Sequence, residues 1–200
     1  MSSTDRIIVN RYHEMAIRAH GASSVGALGW LDSESQLSRF EMLAGIGDMN
    51  NRSVLDAGCG HGDLFAFLSE KYRLGQYTGI DHSETFVITA IKKYGKHPQV
   101  CFQLADFDTD ELPEADYVLL SGSLNYRNSD PGFIYKMIAK LFAACKIAMG
   151  FNLLNDVYDP IGILVAYNME AINDYCRTLT GNTILHKDYT QGDFTIWMYK

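Results

Sequence analysis

A glycine-rich turn near position 60 constrains this chain more than any other part of its sequence. A short apolar run ends in Asp56 and leads into glycines at alternate positions, Gly58, Gly60 and Gly62. A helix-like stretch at 64–72 follows directly. Glycine lacks a Cβ and adopts positive φ easily, so it allows a sharp strand-to-helix turn with a ligand against the backbone. The pattern predicts a strand–turn–helix unit that holds a ligand at its turn.

The charge beside this turn separates two classes of ligand. Dinucleotide-binding turns have the spacing G-x-G-x-x-G and place a pyrophosphate at the helix N-terminus. Here the spacing is G-x-G-x-G, and Asp56 would repel a pyrophosphate. A carboxylate at that position suits a ligand that carries an ammonium and a sulfonium. The sequence therefore resembles the class I S-adenosyl-L-methionine (SAM) methyltransferases, whose first strand leads into an acid-x-Gly-x-Gly loop.

Two more acids follow predicted strands. Asp81 ends a strand about 20 residues past the glycine loop, where Rossmann-like sheets place a ribose-binding acid. A third strand is predicted to end on Asp106. The resemblance implies that Asp106 accepts a hydrogen bond from the adenine amine and that His82 and Phe107 flank the ring. The complete set of expected cofactor contacts is Asp56, Gly58, Cys59, Gly60, Asp81, His82, Asp106, Phe107, Ser121, Arg39 and Trp30.

Strands and helices alternate through the middle of the chain, which predicts parallel strands joined by crossover helices. The predicted strands are 53–56, 76–81, 99–105, 116–121 and 145–151, and the helices between them are 64–72, 83–95 and 131–143. A helix at 168–180 and a hairpin of 183–189 with 194–199 end the chain. The resemblance implies an α/β, Rossmann-like three-layer sandwich. Its seven-stranded, mostly parallel sheet has the order 3-2-1-4-5-7-6 and a C-terminal antiparallel hairpin.

The organisation expected from the sequence is one domain over 1–200, with a helical cap or lid at 1–50 and a Rossmann-like core at 51–200. The cap is predicted to be helical from residue 6, with a break before a second helix at 33–43. In the family that the chain resembles, this segment often covers the cofactor. Trp30, Tyr12 and His13 are therefore lid candidates, although core packing explains Tyr12 nearly as well. Arg39 is expected to pair with the SAM carboxylate, and its alternative is a solvated helix residue.

The segment after the fourth strand is expected to face the methyl acceptor. The Pro-Pro-aromatic motif of DNA N-methyltransferases is absent there, as is the acid of metal-dependent catechol-type enzymes. Methylation of DNA is therefore disfavoured, and no metal is expected. Asn125, Tyr126 and Asn152 are the candidates for contact with the acceptor, and the alternative for Tyr126 is packing beneath the next helix. No general base can be assigned, because positioning alone accelerates transfer from a sulfonium.

Composition narrows the range of partners. The formal charge is −7, and no basic cluster is denser than Lys92–Lys93 with Lys96. Both observations disfavour a nucleic-acid substrate. The four cysteines are scattered without a C-x-x-C pair, as in a reducing compartment and not as in a zinc site. No signal peptide and no apolar run of about 20 residues is present, so we expect a cytoplasmic protein with no membrane partner.

The function predicted from the sequence is methyl transfer from SAM to a small molecule, with S-adenosyl-L-homocysteine (SAH) as product. Segments such as Gly29–Trp30 and Phe151–Leu153 resemble a bacterial group of class I methyltransferases whose acceptor is unassigned. Three alternatives stay open: an RNA or protein methyltransferase, a non-catalytic SAM-binding partner protein, and a NAD-linked oxidoreductase. The acceptor and the oligomeric state are not predicted.

Overall fold

Seven strands form one sheet in the computed structural model, which describes residues 1–30 and 32–200. They are β1 (Ser53–Ala57), β2 (Gln76–Asp81), β3 (Val100–Leu104), β4 (Ala115–Leu120), β5 (Cys145–Leu154), β6 (Thr183–Lys187) and β7 (Asp193–Tyr199). Their order across the sheet is β3-β2-β1-β4-β5-β7-β6, which confirms the predicted order. The first five strands run parallel, and β7 lies antiparallel between β5 and β6.

The point where the strand order reverses determines where a ligand site can form. β1 pairs in parallel with both β2 and β4, with Ala57 opposite Ile80 and Asp56 opposite Leu119. The chain builds outward from β1 to β3 and then returns to β4 on the other side. Open parallel sheets bind ligands in the crevice beyond the carboxyl ends of the strands at such a reversal.

Helices cover both faces of the sheet. They are α1 (Ser3–His20), α2 (Ser33–Ala44), α3 (Asp63–Lys71), α4 (Glu84–Tyr94), α5 (Phe133–Ala144) and α6 (Met169–Leu179), with a short 3₁₀ helix at Val25–Leu28. α1 begins three residues before the predicted start, because Ser2 and Asp5 form a capping box. No helix within the described ranges is both long enough and apolar enough to span a membrane.

Two buried clusters, one on each face of the sheet, produce the three-layer arrangement. One cluster joins Phe40 of α2, Phe65 of α3 and Val87 of α4 to the sheet. The other joins Ile138 of α5 and Ile172 of α6 to the opposite face. Burial of apolar area on both faces explains why the parallel strands have nearly continuous apolar sequences.

Strand ends differ from the prediction in ways that move site residues. β5 continues to Leu154, because it pairs with β7 along its whole outer half, with Asn152 opposite Thr195. Asn152 was predicted to end the strand, and it lies within it, two residues before its end. β3 stops at Leu104, so Asp106 lies in the following loop and not at the strand end. β6 ends at Lys187, since Asp188 has a φ of +64°.

Candidate functional site

A cavity of about 330 Å³ opens at the carboxyl edge of the sheet, above the reversal in strand order. Its size falls at the lower end of the range for small-molecule sites. The structure brings every residue that was expected to contact a cofactor to the cavity wall, together with Asn125 and Tyr126. It does not bring Asn152 there: the Asn152 amide is buried between β5 and β7, where it donates to Thr195 Oγ1 at 2.6 Å.

Glycine at the first turn is required by two close approaches. Gly58 and Gly60 have φ values of +82° and +52°, in the left-handed region. A Cβ on Gly58 would overlap the side chain of Ser123, and one on Gly60 would lie 2.7 Å from Leu28 Cδ2. The backbone of the turn therefore contacts the loop after β4 on one side and the N-terminal segment on the other.

Asp81 fixes the shape of the turn and keeps capacity for a ligand. Its Oδ2 accepts from the Gly60 amide at 2.9 Å, and its Oδ1 accepts from the Ser83 amide at 2.8 Å. Each carboxylate oxygen has two lone pairs, so each can still accept from a hydroxyl. The carboxylate is largely buried and lines the cavity, which suits a vicinal diol.

Asp56 is a nearly inaccessible carboxyl group, with 2% of its surface exposed. The Tyr77 hydroxyl donates to Asp56 Oδ2 at 2.5 Å. Burial raises the pKa of Asp56 to about 7 despite the hydrogen bond from Tyr77, and the nearby Asp81 and Asp63 raise it further. A cation in the cavity would favour the ionised form. The site is therefore electrostatically suited to a positively charged ligand.

The first helix lies over one side of the cavity. Arg6 forms an ion pair with Asp106 at 2.5 Å, and Asn10 Oδ1 lies 2.9 Å from His82 Nε2. The α-amino group of Met1 contacts Asp108. The sequence predicted a covering segment but gave no sign of Arg6. Arg6 pairs with the carboxylate of Asp106, which was expected to bind the adenine amine.

Arg39 makes a bidentate ion pair with Asp193 of β7. Its Nε and Nη2 donate to the two carboxylate oxygens at 2.7 and 2.5 Å, and its guanidinium stacks on Trp30 at 4.5 Å. Nη1 makes neither of these bonds and lies 3.9 Å from where a Cβ on Gly122 would be. Asp193 was missed, because its partner is 154 residues away in the sequence.

Two side chains meet where α1 crosses the loop after β4. The hydroxyl of Tyr126 lies 2.8 Å from His13 Nε2, and His13 Nδ1 lies 3.1 Å from the carbonyl oxygen of Ala27. Asn125 holds the same loop, since its Oδ1 accepts from the Leu154 amide at 3.0 Å. Tyr126 therefore contacts α1 through its hydroxyl, and its contact with an acceptor stays a prediction.

Comparison with known proteins agrees with this geometry. Residues 54–146, from β1 to the start of β5, match the family model described as a methyltransferase domain. The matched segment, which is just under half of the chain, is a methyltransferase domain. Trans-aconitate 2-methyltransferase of Acidovorax sp. (strain JS42) is 27% identical over 107 residues, which are 54% of this chain. The chain spans 41% of the length of that relative.

Solved structures share the fold of the chain along nearly its whole length. Magnesium protoporphyrin IX methyltransferase (ChlM) from Synechocystis PCC 6803, with bound SAH, has a TM-score of 0.73 at 17% identity and covers 98% of this chain and 99% of its own. The DhpI-SAM-HEP complex has a TM-score of 0.73 at 15% identity, with 98% of both chains covered. At such low identity the similarity establishes the fold alone.

The charged side chains that line the cavity limit the charge of the ligand that can bind there. The cations that line its described part are each paired with an aspartate: Arg6 with Asp106, the Met1 amine with Asp108, and Arg39 with Asp193. Among the described residues Asp56 has no cation partner, and the nearest basic group to Asp81 is the His82 ring, whose Nδ1 lies 3.8 Å from Asp81 Oδ1. The open part of the cavity is thus acidic, and a cationic ligand is favoured over an anionic one.

Proposed function

We propose that this protein transfers a methyl group from SAM to a small-molecule acceptor and releases SAH. One observation carries the proposal: the glycine turn, tied to Asp81 through Gly60, lies in a cavity with the buried carboxyl group of Asp56. This arrangement falls within the segment that matches the methyltransferase-domain family. An acid that can bind a diol, at the end of β2, and an acid that can bind a cation, in β1, suit a ligand with both a ribose and a sulfonium.

The described residues suggest how the cofactor would be held. Asp81 would accept hydrogen bonds from the ribose hydroxyls, and Asp56 would lie near the amino-acid end, where its charge favours the ammonium and sulfonium. Arg39 Nη1 is directed toward Gly122 and would bind the carboxylate. His82 and Phe107 would flank the adenine ring. Asp106 would bind the adenine amine only if Arg6 shared its carboxylate.

A small acceptor agrees with the enclosure of the site. The cavity lies beneath α1, and ion pairs tie its described walls together. The relatives named above carry trans-aconitate and magnesium protoporphyrin IX in their names. An RNA substrate would require a positive rim, and the net charge of −7 with paired lining cations disfavours one.

Thermal shift with SAH tests the cofactor. We expect SAH to raise the melting temperature of the whole chain clearly, because a ligand that binds only the folded state stabilises it. The Asp81→Ala variant should lose the shift, since the ribose contact and the anchor of the Gly60 amide disappear together. Asp174→Ala is the matched control, because Asp174 is an exposed aspartate on α6 whose one ion pair among the described residues is with Arg177.

Two results would contradict this assignment. An equal shift in Asp81→Ala would remove the ribose role of Asp81. A shift with NAD but none with SAH would replace the methyltransferase by the dinucleotide-binding alternative.

A further inference from the structure

The hydrogen bonds of His13 fix its tautomer and the direction of the bond to Tyr126. A carbonyl oxygen only accepts, so the contact of His13 Nδ1 with the Ala27 carbonyl at 3.1 Å requires the proton on Nδ1. Nε2 of the neutral ring is then an acceptor, and the Tyr126 hydroxyl donates to it at 2.8 Å. The Tyr126 oxygen consequently keeps its lone pairs for a ligand in the cavity, which both residues line.

We propose that Tyr126 and His13 form a proton-accepting pair that removes the proton from a hydroxyl group of the methyl acceptor. This inference rests on the proposed function, because SAM supplies the methyl group. Tyr126 contacts the acceptor, and His13 is the final proton acceptor behind it. The substrate class is a neutral alcohol or phenol.

The step balances in atoms and charge. The acceptor oxygen forms a bond to the methyl carbon while the carbon–sulfur bond breaks, and the electron pair of that bond returns to sulfur. The hydroxyl proton passes to the Tyr126 oxygen as the proton of Tyr126 passes to His13 Nε2. A sulfonium disappears and an imidazolium appears, so the site keeps one positive charge. The imidazolium later loses its proton to solvent.

The surroundings of His13 suit this role. Burial lowers the pKa of His13 and His82 lowers it further, while the Ala27 hydrogen bond and the charge of Asp81 raise it. The rings of Tyr12, Tyr126 and Phe86 contact the imidazole edge-on, at centroid distances of 5.2, 5.4 and 5.0 Å. The ring is thus neutral near pH 7, and its Nε2 is the acceptor that faces Tyr126. Burial also raises the pKa of Tyr126, so its proton has to move together with that of the acceptor.

Carboxylate and neutral amine acceptors do not need a base such as the Tyr126–His13 pair during methyl transfer. A carboxylate needs no base, and it would require a cation that the described lining does not offer outside its pairs with Asp106, Asp108 and Asp193. A neutral amine attacks through its lone pair and loses its proton only after transfer. A hydroxyl becomes a strong nucleophile when its proton leaves during the attack. Apolar lining by Phe133 and Leu164 favours a ring-bearing body, such as a phenol.

The probe that tests this pair is 4-nitrophenol, added to the SAH-loaded protein at a pH where the unbound probe is mostly protonated. We expect it to bind and to show the yellow phenolate, because His13 takes the proton through Tyr126. His13→Gln keeps an acceptor for the Tyr126 hydroxyl but does not titrate, so the bound probe should stay protonated. If the His13–Tyr126 hydrogen bond were only structural, the bound probe would have the same colour in the unchanged protein and in His13→Gln. Tyr126→Phe should also leave the probe protonated.

Tyr167→Phe is the matched control, because it removes a half-buried tyrosine hydroxyl that donates to the Leu124 carbonyl of the same loop at 3.2 Å. It should ionise the probe as the unchanged protein does. With SAM in place of SAH, methylation of 4-nitrophenol should fall by about 10²–10⁴-fold in His13→Gln. Failure of SAH to bind would overturn the proposed function instead. If SAH binds, three results overturn the pair: no bound probe, a protonated bound probe, or equal ionisation in His13→Gln.

Discussion

The carboxyl group of Asp56 is buried where the amino-acid end of a cofactor is expected. Its pKa of about 7 means that near neutral pH a large fraction of the empty protein carries a proton on this group. A bound sulfonium and ammonium would stabilise the carboxylate and lower that pKa, so binding of SAM should release a proton. We expect the affinity for SAM to fall below pH 7 by at most about tenfold per pH unit. Calorimetry in buffers with different ionisation enthalpies measures the released proton.

Substitution of Asp56 by asparagine separates the contribution of its charge to SAM binding from that of its shape. Asp56→Asn keeps an oxygen that accepts from Tyr77 but removes the charge and the titration. The variant should bind SAM more weakly while adenosine, which lacks the amino-acid end, loses much less affinity. Its binding of SAM should release no proton from this site. Equal losses for SAM and adenosine would place Asp56 away from the charged end.

Contacts between elements hold the cap to the sheet, and the ion pair of Arg39 with Asp193 joins α2 to β7. Asp193 is 3% exposed, so removal of its partner leaves a buried charge that costs about 3–5 kcal/mol. Arg39→Met should therefore lower the free energy of unfolding by several times the loss in Arg177→Met, whose exposed pair is worth at most about 1 kcal/mol. Arg39→Met with Asp193→Leu should recover part of the loss. Urea unfolding compares the unchanged protein, the control Arg177→Met, the two single variants Arg39→Met and Asp193→Leu, and the double variant. Additive losses in the two single variants would exclude a coupled pair.

α1 is fastened to the edge of the cavity by polar contacts more than by a wide apolar face, since Ile7, Ile8 and Met15 are exposed. Arg6 supplies the strongest of these contacts through Asp106. Arg6→Ala should speed hydrogen exchange of the α1 amides several-fold and leave the sheet unchanged. Arg18→Ala is the control, because no ion pair of Arg18 occurs among the described residues. Equal exchange in the two variants would show that packing alone holds α1.

Local patterns explain how much of these elements could be predicted. The alternate glycines and Asp81 lie within one strand–helix–strand unit, β1–α3–β2, so their spacing carries the information. The sheet order came from family resemblance and is confirmed. The partners of Arg39 and His13 are 154 and 113 residues away, and only the assembled fold brings them close. Asn152 was predicted to reach the acceptor, because no local sequence pattern shows that β5 continues to pair with β7 beyond residue 151.

At the scale of the whole molecule, buried titratable groups make folding stability depend on pH, and the carboxyl group and the histidines act in opposite directions. The folded-state pKa of Asp56 is raised to about 7, so the stability from its protonated form is present below pH 3.8 and is lost as pH rises to 7. Burial lowers the pKa values of His13 and His61, so stability is lost as pH falls below 6.5, where the unfolded chain binds these protons. His61 reinforces this trend, because neither ring nitrogen has a hydrogen-bond partner among the described residues.

These opposite slopes partly cancel, so the stability of the empty protein should rise less with pH between pH 5 and pH 7 than that of a variant without the Asp56 carboxyl group. Asp56→Asn removes the falling component, so its free energy of unfolding should rise with pH across this interval, by up to about 1.4 kcal/mol per pH unit for each histidine. His13→Gln removes one rising component and should make stability fall as pH increases. Urea unfolding at half-unit steps of pH tests both slopes, with Asp174→Asn as an exposed control. If Asp56→Asn runs parallel to the unchanged protein, the carboxyl group does not titrate near neutral pH, and SAM binding would then release no proton from it.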